Sequence, residues 1–166
     1  MNQIAFDVAG TPRARPRPRS RAMYSKKKGK HIAVTYHPKP KAFEAGEKLK
    51  GDARAWQLAN VWYESVKAAI EPFKPSKPWT GPIRLNITVY FERPTRLCRK
   101  KDPPDPVRHT SAPDRDNLDK SVLDALKEAG LFEDDGQVCA GAVEKWYAAK
   151  GCGPGVKIVA ERITDG

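Results

Sequence analysis

The 166-residue chain has the length of one domain and carries 31 Lys and Arg against 20 Asp and Glu, a formal net charge of +11. A surplus of that size points to a polyanionic partner, most simply nucleic acid, and no long basic amphipathic helix supports a membrane surface instead. The absence of a bilayer-length apolar run, of a signal-peptide pattern in MNQIAFDVAG, and of any zinc or disulfide spacing among Cys98, Cys139 and Cys152 predicts a cytoplasmic protein with reduced thiols and no membrane contact.

IAFDV (4–8) alternates and reads as a first strand, broken by Gly10 and Pro12. From 11 to 31 the chain holds five arginines (Arg13, Arg15, Arg17, Arg19, Arg21) and four lysines (Lys26, Lys27, Lys28, Lys30) with no acid. Its prolines bar an early helix, so an extended basic arm over about 11–52 is expected, with a ragged hairpin near IAVTY (32–36). Residues 53–71 repeat apolar side chains at helical steps: Ala55, Leu58, Ala59, Trp62, Val66, Ala69 and Ile70. A proline-rich linker follows, then RLNITVYFE (84–92), whose alternation predicts a strand. The stretch 93–113 is a long loop, basic at its start, and its His109 reads as an exposed loop residue.

A second helix is predicted over 117–129, with Asp116 as N-cap, Asp119 three residues on, and Gly130 as the stop. FEDDG (132–136) is a turn. QVCAGAVEKWY (137–147) and GVKIVAERI (155–163) read as two strands joined at KGCGPG, and Trp146 and Tyr147 read as core. The expected fold is α+β, a small mixed sheet with helices packed on it, in one domain over residues 1–166.

The chemistry gathers where the charge reverses. Residues 113–135 hold eight acids against three bases in an otherwise basic chain. Asp114 and Asp116 straddle one residue, so in extended backbone both carboxylates point the same way. Lys120 follows one helical turn later, and Asp124 one turn after that, where it can pair with the ammonium. Asp134 and Asp135 lie past the helix and can return to the same place if the chain reverses at FEDDG. A divalent cation with hard oxygen ligands would offset such crowding, and Mg²⁺ is commonly held by one or two carboxylates with several waters. An EF-hand calcium loop is excluded, because Leu118 stands where that pattern needs an acid. Taken singly, the acids read as a cap, a turn and a solvated face. Together, beside a basic arm, they favour a metal-dependent nuclease over a basic binding protein without catalysis.

DRDNLDKSVLDAL followed by LFEDDGQV resembles the RusA family of Holliday-junction resolvases, with Gly10-Thr11-Pro12-Arg13 and the closing GVKIVAERI in keeping. The resemblance implies that Asp114, Asp116 and Asp135 are catalytic carboxylates holding Mg²⁺, for which Mn²⁺ can substitute, and that Lys120 is an essential basic residue. It implies a homodimer with two active sites acting on branched DNA, four-way junctions above all, in a bacterial or phage-encoded setting. Asp134 and Asp124 are assigned to support of that site. Arg13, Arg15, Arg17, Arg19, Arg21, Lys26, Lys27 and Lys28 are assigned to the DNA backbone, which gives affinity without sequence information. The competing expectations are a nuclease for forks, flaps or plain duplex, and a binding protein indifferent to Mg²⁺.

Overall fold

The computed structural model describes residues 2–15, 19–36 and 51–164. Among these residues eight strands and two α-helices follow in chain order: β1 (Gln3–Ala9), β2 (Arg19–Ser25), β3 (Lys30–Tyr36), α1 (Gly51–Ile70), β4 (Ile83–Phe91), β5 (Val107–Arg108), α2 (Arg115–Glu128), β6 (Val138–Ala140), β7 (Val143–Tyr147) and β8 (Gly155–Arg162). The main sheet runs β1-β8-β4-β7-β5, with β6 paired to β4 ahead of β7. β8 is antiparallel to both its neighbours, whereas β6 and β7 run parallel to β4. This is the expected α+β class.

Alternation places the core. Ile83, Leu85, Ile87, Val89 and Phe91 of β4 are buried on one face, together with Ile4, Phe6 and Val8 of β1 and Val156, Ile158 and Ala160 of β8. Leu118, Val122, Ala125 and Leu126 of α2 close over that face. Each such leucine contributes roughly 1.5–3 kcal/mol relative to exposure. Helix α1 turns a slightly different face inward than expected. Ala59, Trp62, Tyr63, Val66 and Ile70 are buried, while Ala55 and Leu58 are exposed. Tyr63 is drawn in because its hydroxyl finds partners on α2, donating to the Asp124 carbonyl at 2.9 Å and to Glu128 Oε2 at 2.7 Å.

One expectation is corrected and two are refined. The run 137–147 is two strands, not one, divided at Gly141. There φ is +129°, and a Cβ would lie 1.8 Å from the Leu85 carbonyl oxygen, so only glycine permits the approach. The hairpin expected near 32–36 is present and regular: β2 pairs with β3 through seven residues, from Arg19↔Tyr36 to Ser25↔Lys30. The rest of the expected arm, 37–50, and Arg17 lie outside the described residues. Finally, the loop 93–113 is fastened from within. The buried Arg93 guanidinium donates to the carbonyls of Leu97, Pro103, Pro104 and Asp105, and Lys150 Nζ donates to those of Arg99 and Asp102. Two cations thus satisfy backbone that no strand ladder reaches.

Candidate active site

Helix α2 carries the first carboxylates. Its N-cap is Asp114, two residues earlier than the expected Asp116 and with extended backbone (φ −67°, ψ 149°). The correction has a simple cause: the Leu118 N–H already reaches the Asp114 carbonyl, at 3.3 Å, so the helix starts at Arg115. Asp116 falls in the first turn, where the helix dipole favours a negative charge. Asp114 and Asp116 are both exposed. Asp119 is not on a solvated face. It is half-buried among Leu85, Val138, Gly141 and Val143, and burial pushes its carboxyl up while Arg115 opposes the shift.

The helix ends at Gly130, as expected, with φ +84°. The Gly130 N–H bonds the Lys127 carbonyl and the Leu131 N–H bonds the Leu126 carbonyl, both at 3.0 Å, a full Schellman closure. Buried Leu131 and Phe132 then seat the turn, and the Trp79 N–H donates to the Leu131 carbonyl at 2.8 Å. This reversal brings Asp134 and Asp135 back along α2. Asp135 lies 3.9 Å from Lys120 and 3.4 Å from Lys127, and Lys127 also meets Asp134 at 2.7 Å. Lys120 in turn stands 3.2 Å from Asp124. The Lys127 hydrogen bond holds the Asp134 carboxyl far below the usual carboxylate range, with Asp135 as the next cause.

Sequence reasoning gave no role to Lys127 or to Gln137. The Gln137 amide oxygen accepts from the N–H groups of Glu133 and Asp134, at 2.9 and 2.8 Å, and its NH₂ donates to the carbonyls of Trp79 and Gly81. The only signal in the sequence was its place three residues after Asp134, the spacing of a capping glutamine. His109 is also unlike its expectation. It is 8% exposed, stacked on Phe91 at 4.2 Å between ring centroids and against Tyr147 at 4.6 Å. Burial first, and Lys145 second, push its pKa down, which favours the uncharged ring. Trp146 is outside the core, on the sheet face away from the helices, with the Arg108 guanidinium 3.6 Å over its ring.

The basic residues are spread along the chain. Arg13 is exposed beside Gly10, Thr11 and Trp62. Arg15 is half-buried: its N–H donates to Ser121 Oγ at 2.9 Å, and its guanidinium lies 4.1 Å over the Tyr63 ring. The arm is therefore rooted on α2. Lys26, Lys27 and Lys28 are exposed at the tip of the β2–β3 hairpin. The side chains of Arg19 and Arg21 lie outside the described residues, although their backbones belong to β2.

Among the described residues no three His, Cys, Asp or Glu side chains are gathered closely enough to hold an ion by themselves. The donor set is nonetheless chemically suited to one. Asp114, Asp116 and Asp135 offer hard carboxylate oxygens, and Mg²⁺ needs few of these beside water and a phosphate. No helix among the described residues is long and apolar enough to cross a membrane. No curated protein sequence matches the chain significantly. A family model does match: endodeoxyribonuclease RusA, over residues 10–160, which begins just past β1 and spans both helices and most of β8. The chain, with its paired carboxylates at the head of α2 and Asp135 folded back beside Lys120, belongs to the RusA family of Holliday-junction-resolving endodeoxyribonucleases.

Proposed function

We propose that the protein is a Mg²⁺-dependent, structure-specific endonuclease that resolves four-way DNA junctions by paired, symmetric phosphodiester cleavage in recombination and repair. The observation that carries this reading is the return of Asp135 to within 3.9 Å of Lys120, on the helix that opens with Asp114 and Asp116, in a chain of this family. Asp114, Asp116 and Asp135 would hold the ion, and Mn²⁺ would serve in its place. A bound divalent ion supplies polarisation of a phosphoryl oxygen and a water of lowered pKa. Lys120 stabilises negative charge developing on the phosphate. Asp124, at 3.2 Å, orients the Lys120 ammonium, and Asp134 keeps Lys127 beside Asp135. Arg13, Arg15, Lys26, Lys27 and Lys28, with Arg17, Arg19 and Arg21, hold the DNA backbone. A homodimer gives two sites related by a two-fold axis, which matches two symmetric cuts across a junction.

The test uses a labelled mobile four-way junction, a fork and a linear duplex, with Mg²⁺ or with EDTA, alongside Asp116→Asn. Mg²⁺-dependent paired nicks on the junction are expected, both arising from one binding event. The variant is expected to bind the junction as well as the parent does and to cut it at least about a thousandfold more slowly. Equal cutting of all three substrates would remove the junction specificity. Mg²⁺-indifferent binding with no cutting would reduce the protein to a basic DNA-binding module.

A further inference from the structure

Lys145 lies in the middle of β7 and reaches one short segment with both its backbone and its side chain. Its carbonyl accepts the His109 N–H at 3.0 Å. Its Nζ donates to the Ser111 carbonyl at 2.6 Å and to the Pro113 carbonyl at 2.8 Å. Residues 109, 111 and 113 are thus all fastened to a single residue, and the next residue in the chain is Asp114, the N-cap of α2. The far end of the segment is anchored too, because β5 stops at Arg108 and the His109 ring is held between Phe91 and Tyr147.

That arrangement has a direct consequence for geometry. The stretch from Thr110 to Pro113 belongs to no strand or helix, so no ladder fixes its backbone. Two charge-assisted hydrogen bonds from an ammonium do so instead. Lys145 itself is held in register by β4, where it faces Val89. The position of the Asp114 backbone is therefore referred to the rigid centre of the sheet through one side chain.

We propose that Lys145 is a positioning residue for strand cleavage, fixing where Asp114 and the first turn of α2 stand relative to Asp135. This rests on the proposed function above. Neither the composition nor the family match assigns the residue a role. A lysine that merely closes a loop would affect stability alone, whereas a positioning lysine affects the chemical step with little change in binding. Displacement of a reacting group by about 1 Å lowers a rate by about a hundredfold.

The test uses Lys145→Met, which keeps most of the apolar stem and removes the donors, in the full chain. Amide hydrogen exchange is expected to quicken at least about tenfold at His109 and Leu118, whose N–H groups bond the Lys145 and Asp114 carbonyls, while the amides of β4 and β8 stay unchanged. Single-turnover cleavage of a junction at saturating protein is expected to fall about ten- to a hundredfold, with the junction Kd within about twofold and the Mg²⁺ concentration for half-maximal rate raised. Should the methionine variant not fold, Lys145→Arg, which retains charge and donors in a different shape, carries the same comparison with a smaller loss of rate. Unchanged exchange at His109 and Leu118 overturns the clamp. A loss of rate matched by an equal loss of binding, or no loss of rate per folded molecule, overturns the positioning role. A parent protein that cuts nothing overturns the nuclease reading instead, and the exchange comparison then reports on the clamp alone.

Discussion

Gln137 uses both ends of its side-chain amide to fix the second half of the acidic site. It gathers the N–H groups of Glu133 and Asp134 on one side and the carbonyls of Trp79 and Gly81 on the other. Gln137→Ala leaves those four groups to water and releases Asp135 from its place near Lys120. Stability is expected to fall by about 2 kcal/mol in urea unfolding, and junction cleavage to fall more than junction binding. The carboxylates were legible in the sequence because their density is anomalous in a basic chain. Their organisers were not. Gln137, Lys127 and Lys145 act on backbone or on residues brought near by chain reversal, and a strand pattern such as VEKWY presents Lys145 as one more polar position. What a lysine donates to depends on which carbonyls the fold leaves unpaired, and no local spacing records that.

The contact of α1 with α2 is an element-scale device with a titratable centre. Glu128 accepts hydrogen bonds from Lys67 at 2.6 Å and from Tyr63 at 2.7 Å. The Lys67 bond first, and the Tyr63 bond second, hold the Glu128 carboxyl below its ordinary value. A depressed carboxyl stabilises the fold above its unfolded pKa, and that contribution is lost as the pH falls through its folded pKa. Glu128→Gln is therefore expected to melt at a lower temperature than the parent at about pH 7, and the gap is expected to narrow as the pH falls from about 5 toward 3. The existence and order of the long elements followed from periodicity. The missed details have specific causes. Tyr63 turned inward because a buried hydroxyl can be satisfied on α2, which hydropathy counts against it. Gly141 splits a strand because β4 runs parallel beside it and Leu85 comes too close for a side chain, a tertiary fact carried in the sequence by one glycine.

At the scale of the whole molecule the positive charge divides into two uses. Arg93, Lys145 and Lys150 are committed to backbone carbonyls, whereas Lys26, Lys27 and Lys28 stand exposed at a hairpin tip. Salt sensitivity counts phosphates neutralised, not formal charge. If the arm and hairpin together neutralise roughly six phosphates, junction affinity falls about a thousandfold between about 50 and 200 mM salt. Replacing Lys26, Lys27 and Lys28 together with glutamine is expected to reduce the slope of log K against log salt by about 2 to 3, measured on the same junction. Replacing Lys150 is expected to leave the slope unchanged and to lower stability instead.

The order of the sheet also governs how the chain reaches this state. β8 lies between β1 and β4, so Gln3 pairs with Glu161 and the first strand made waits for the last. During synthesis β1 has no partner, and β4 keeps one edge open, until residues 155–162 have emerged. Such distant pairings carry a large loop-closure cost and slow the search for the native state. The residues of helix α2 and the acidic turn have all emerged before then. The nascent protein therefore carries the whole chemistry-bearing segment while its sheet is unsealed, and the exposed edges of β1 and β4 are where a stalled or shortened chain would aggregate.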